Sequence, residues 1–140
     1  MAVWVAVAGT FSIKIAMLCF VLLSYISGFD ILYACQDTEF DREERLYSIP
    51  AVFGIKKALA ASSLLHIISF LSLVSLYWIF SLSPVFLIFA LVIAVLFVVE
   101  HKLVRPDDLT RVNVAFYHIN SIISVLLFVA ILSGEWLRSM

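Results

Sequence analysis

Charge is what this chain has least of. Asp, Glu, Lys and Arg make up 14% of its 140 residues, with a formal net charge of −1, where soluble domains carry roughly a quarter. A surface so poor in cations excludes a nucleic-acid partner, which needs a basic patch. Cysteine is almost missing: Cys19 and Cys35 have neither the repeated close spacing of a zinc site nor that of a disulfide framework, so free thiols are expected. No nucleophile elbow, Walker loop or metalloprotease His pair occurs. The opening residues 1–8 are apolar but lack the preceding cation and cleavage context of a signal peptide. No soluble domain, extended linker, internal repeat or low-complexity tract is visible.

What the chain has instead is apolar length. Hydrophobic residues make up 64% and the mean hydropathy is +1.14, which places it among integral membrane proteins of all-α class, a polytopic helical bundle in a lipid bilayer. Four stretches are long enough to cross, at 13–33, 55–80, 84–100 and 109–132, and a partial helix at 2–8 precedes them. Pro84 suits the first turn of the third, and Asp107 or Asp108 would cap the fourth. Arg42, Arg45, Lys56, Lys57, Lys102, Arg105 and Arg111 share one side, leaving only Lys14 and Arg138 on the other. The positive-inside rule puts that richer side in the cytoplasm, as expected for a bacterial inner membrane protein.

The charges concentrate in one island, residues 37–45, at the end of the first span. Asp37 and Asp41 are four apart, a spacing that stacks two carboxylates on one helix face and costs a few tenths of a kcal/mol by repulsion. A hard divalent ion bridging to a phosphate would remove that cost. At about 100° per residue, Asp30, Tyr33, Asp37, Asp41, Glu44 and Arg45 fall within a sector of about 120°, provided the helix is unbroken. Mg²⁺ on Asp37 and Asp41, with Arg42, Arg45, Lys56 or Lys57 meeting the anionic part of a ligand, is one reading; a solvated connecting loop is the other. Asp30 lies about one turn inside a span, where an ionisable group faces a cavity or a partner, and an ion or proton pathway centred there is a third reading. Asn113, Tyr117, Asn120 and Ser124 share a face of the last span and are expected to hydrogen-bond between helices. His66 and His118 are expected as satisfied structural imidazoles, and Ser62, Ser63, Ser69, Ser72 and Ser75 as small residues that let helices approach. Glu100, His101, Asp107 and Asp108 form a second charged patch that either completes a phosphate and metal site or caps two helices.

The segment Gly28-Phe29-Asp30-Ile31-Leu32-Tyr33-Ala34-Cys35-Gln36-Asp37-Thr38-Glu39-Phe40-Asp41 resembles the second aspartate-rich motif of the UbiA intramembrane aromatic prenyltransferases. Ser48-Ile49-Pro50-Ala51 with Phe53-Gly54 continues the likeness. So does Glu100-His101-Lys102-Leu103-Val104-Arg105-Pro106-Asp107-Asp108-Leu109, which is similar to a later loop of the quinone-pathway branch, of which 4-hydroxybenzoate polyprenyltransferase is one type. The resemblance implies transfer of a polyprenyl group from its diphosphate to an aromatic acid such as 4-hydroxybenzoate, in ubiquinone or menaquinone biosynthesis. It makes Asp37 and Asp41 the Mg²⁺-associated carboxylates and Tyr33 an aromatic beside them, with Asp30 orienting the acceptor or taking a proton. Relatives carry further helices and an earlier Asn-Asp and Asp motif, so the match corresponds to a C-terminal half, and a separate N-terminal half is an expected partner. Tyr47 stands where many relatives have Lys. A catalytically silent membrane subunit or remnant of the family is the alternative.

Overall fold

A computed structural model describes residues 1–140, and its regular elements are all helical. The order is α1 (Ala2–Ala8), α2 (Ile13–Ala34), a 3₁₀ turn (Cys35–Asp37), α3 (Thr38–Glu43), α4 (Ile49–Phe53), α5 (Ile55–Ile79), α6 (Val85–Leu103), a π-helical segment (Val114–Ile119) and α7 (Asn120–Ser139). No strand forms; Arg105 and Asp108 make one isolated bridge in the connection before the π segment. Four helical stretches have the length and apolar composition to cross a membrane, and the first runs without a gap from Ile13 to Glu43. At about 1.5 Å per residue even α6, with 19 residues, covers most of a bilayer core.

The shared core lies at the meeting of α2, α5, α6 and α7, around Phe29, Leu73, Phe86, Ile93 and Ile123. A second cluster at the end bearing the charged island joins Leu32 and Cys35 to Ala58, Val104, Val112 and Ala115. Outward positions such as Leu23, Leu64, Ile88, Val125 and Phe128 are apolar too. Lipid is as apolar as these side chains, so close packing and hydrogen bonds rather than solvent exclusion must hold the helices together. The α2–α5 pair shows how. Ser62 Oγ donates to the Gly28 carbonyl at 2.7 Å, and Ser69 Oγ to the Val21 carbonyl at 3.1 Å. Gly28 itself faces the His66 ring so closely that a β-carbon there would collide with it.

Several boundaries differ from expectation. The third span is Val85–Leu103, with Pro84 as its N-cap rather than inside its first turn. The last begins at the π segment and reaches Ser139, later at both ends than 109–132. Asp108 is the reason for the late start: its Oδ1 accepts from the Thr110 backbone N–H at 3.0 Å and hydroxyl at 2.6 Å, closing a turn two residues on instead of capping a helix. The first span continues past residue 33, but the 3₁₀ turn at Cys35–Asp37 interrupts the unbroken α-helix that the single stripe required. Asp41 is buried while Asp30, Asp37, Glu44 and Arg45 are exposed, so these residues do not share one environment.

Candidate functional site

The charged island is built by short elements in series. The 3₁₀ turn tightens the end of α2, and Thr38 Oγ1 donates to the Cys35 carbonyl at 2.8 Å as α3 begins. Asp37 stands at the N-cap of α3, and Asp41 lies in its first turn. The helix closes with the Leu46 N–H donating to the Asp41 carbonyl at 2.7 Å, which places Arg45 at φ 56°. Ser48 then caps α4, its Oγ accepting from the Ala51 N–H at 3.3 Å, with Pro50 in the first turn. Gly54, at φ 86° and ψ 154°, takes a backbone conformation essentially reserved for glycine and sends the chain into α5. The Ser48-Ile49-Pro50-Ala51 and Phe53-Gly54 pattern is therefore cap, first turn and reorienting joint.

The cations around this island are unevenly committed. Arg42 Nε donates to the Ala51 carbonyl at 3.1 Å, tying α3 to α4. Lys56 and Lys57 project exposed from the first turn of α5. None of them forms an ion pair with Asp37 or Asp41; the chain's ion pairs are Arg138 with Glu135 and a His66–Glu100 contact. Asp37 and Asp41 thus have no cationic partner, and carboxylates are the kind of ligand that could hold Mg²⁺, a hard ion commonly bound by one or two of them together with phosphate oxygens. Tyr33 is half-buried, its ring 4.2 Å from that of Phe116 in the π segment. Asp30 is exposed on α2.

Deeper in the bundle Tyr25 joins α2 to α7. Its hydroxyl contacts Ser124 Oγ at 2.9 Å and donates to the Asn120 carbonyl at 3.0 Å, with the Asn120 side-chain oxygen also in contact. Asn120 and Ser124 thus make the expected interhelical bonds. Asn113 and Tyr117 of the same expected face do not join them: the π segment that begins after Asn113 changes the angular step, and both are exposed, as is His118, which the structure does not bury as a structural imidazole.

One constellation escaped sequence reasoning. His66 of α5 and Glu100 and His101 of α6 bring ligand atoms to within 4.8 Å of one another. The sequence shows Glu100 next to His101 near a span end and a His within another span, 34 residues away, but nothing that pairs them. The His66 ring is stacked on Phe97 at 4.3 Å and lies 4.8 Å from Phe29, which fixes its orientation.

The sequence profile of the UbiA prenyltransferase family matches residues 1–132, nearly the whole chain. No curated protein and no solved structure matches it.

Proposed function

Because the chain belongs to the UbiA prenyltransferase family, we propose that it serves a membrane enzyme that moves a polyprenyl group from its diphosphate onto an aromatic acid, such as 4-hydroxybenzoate, in ubiquinone or menaquinone biosynthesis. The observation that carries this reading is the family match over residues 1–132. Asp37 and Asp41, at one end of the bundle and without cationic partners, are the residues that would hold Mg²⁺. When bound, Mg²⁺ would offset charge on the departing diphosphate.

The protein's own residues have separable tasks in this scheme. Lys56 and Lys57, exposed beside the island, attract the diphosphate, as do Arg45 and the guanidinium nitrogens of Arg42 that Ala51 does not occupy. Tyr33 supplies an aromatic wall next to the reacting carbon, and Asp30 orients the acceptor or takes the ring proton released when the new bond forms. Apolar helix faces keep water from the electron-poor prenyl group. Two carboxylates make half of a clamp; an Asn-Asp motif outside residues 1–140, on a longer product or a separate chain, makes the other half. The charged end faces the cytoplasm of a bacterial inner membrane, in keeping with the seven cations on that side.

The test is reconstitution in proteoliposomes with Mg²⁺, a polyprenyl diphosphate and candidate aromatic acids. The chain by itself should give no prenylated product; supplied with a family N-terminal half, it should give Mg²⁺-dependent turnover that Asp37→Ala or Asp41→Ala abolishes while the protein stays inserted. Robust turnover by the chain alone would sink the divided clamp, and unchanged rates in both variants would remove the pair from the metal. Persistent silence with the second half present would favour a non-catalytic subunit.

A further inference from the structure

The contacts around His66 and His101 are compatible with tautomers that turn two lone pairs toward each other. His66 Nε2 lies 3.3 Å from the Tyr25 carbonyl oxygen, which can only accept, so the ring proton is on Nε2 and Nδ1 carries a lone pair. Ser63 Oγ gives its single proton to the Leu59 carbonyl at 3.0 Å. With that proton committed to Leu59, the hydroxyl accepts from His101 Nδ1, 3.2 Å away, an arrangement that leaves a lone pair on His101 Nε2. His66 Nδ1 and His101 Nε2 face each other at 3.1 Å. Glu100 Oε2 sits 3.6 Å from His66 Nδ1, too far for a hydrogen bond, and neither Glu100 oxygen has any hydrogen-bond partner although the residue is 0% exposed. Three potential ligand groups therefore converge inside the membrane, and one of them, Glu100, has both oxygens unpartnered. A buried, unpartnered carboxylate is among the costliest groups a bundle can hold.

We propose that His66, Glu100 and His101 bind one divalent metal ion of the borderline class to which Zn²⁺ belongs. A tetrahedral ion with metal–nitrogen bonds of 2.0–2.1 Å separates two ligand nitrogens by about 3.3 Å; the imidazoles already stand at 3.1 Å. Two neutral imidazoles and a carboxylate favour such an ion over Mg²⁺, which prefers oxygen. The supporting contacts are of the usual kind, each imidazole presenting its other N–H to an acceptor, the Tyr25 carbonyl for one and Ser63 Oγ for the other. His66 and His101 also line a groove of about 360 Å³ between α5 and α6, walled by Phe70 and Phe97. This centre is distinct from Asp37 and Asp41, which lie on α3 and at its N-cap.

Co²⁺ is the probe, because four-coordinate Co²⁺ has intense visible absorption. Titrated into the whole chain in detergent, it should bind at one ion per chain with tetrahedral bands, be displaced by Zn²⁺, and resist excess Mg²⁺. Glu100→Gln and His101→Gln should each weaken binding at least about tenfold, and Ser63→Ala, which removes only a supporting acceptor, by about tenfold. Asp37→Asn with Asp41→Asn should leave binding unchanged. Absence of stoichiometric Co²⁺ in the unaltered chain overturns the proposal and leaves a shared proton as the occupant. Equal affinity in Glu100→Gln and His101→Gln overturns it as well, as does loss of binding in the double Asp variant. If Glu100→Gln fails to yield helical, monodisperse protein, His101→Gln and Ser63→Ala decide.

Discussion

Gly28 shows how much a single residue carries here. Ser62 bonds its carbonyl, and the His66 ring occupies the space where a side chain would be. Gly28→Ala should therefore destabilise the bundle by about 1–3 kcal/mol, since the ring is held by Phe29 and Phe97 and cannot step aside. Denaturation of the purified protein in mixed micelles would show it; a stability equal to that of the unaltered chain would mean that α2 and α5 are not in such close contact. None of this is visible in the sequence, where Gly28 is one glycine in an apolar run and His66 reads as an isolated imidazole. The His66–Glu100–His101 site is illegible for the same reason, because its members meet only when α5 and α6 pack. Asp37 and Asp41 stand out even in one dimension, since charges flanked by membrane-length apolar sequence need a reason to be there.

Elements were legible where composition decides them and not where a local bond does. All four long apolar helices follow from hydropathy, whereas the start of the last is set by Asp108 turning back onto Thr110. Those two hydrogen bonds hold the Asp108 carboxyl below its ordinary value, with smaller help from Arg111 and Arg105. A depressed carboxyl stabilises the turn fully above the unfolded-state value of 3.8, and the contribution disappears as pH falls through the lower folded-state value. Acidification through that window should selectively loosen this turn, read as loss of Thr110 amide protection against hydrogen exchange. Asp108→Ala should lack that pH dependence; an identical profile in the variant would refute the assignment. The π segment had no sequence signal either, because one extra residue per turn leaves composition unchanged, yet it takes Tyr117 away from the face bearing Asn120 and Ser124.

At the scale of the whole molecule, the excess of cations at the Asp-rich end predicts an orientation. In a background with Cys19 and Cys35 replaced, a cysteine introduced at Asp107 should react with an impermeant maleimide only from the cytoplasmic side, and one at Ser83 only from the opposite side. Reversed labelling would invert the topology, and labelling of both positions from one side would contradict four crossings. The packing of α2 against α5 has a further consequence, for biogenesis. Ser62, His66 and Ser69 place their polar atoms on carbonyls of α2, at Gly28, Tyr25 and Val21. A nascent chain synthesised as far as Ile79 thus holds every atom of that zipper before α6 exists. The two helices can leave the translocation machinery as a paired hairpin, sheltering three polar side chains from lipid, and the half-finished pair becomes the template on which Glu100 and His101 later find His66.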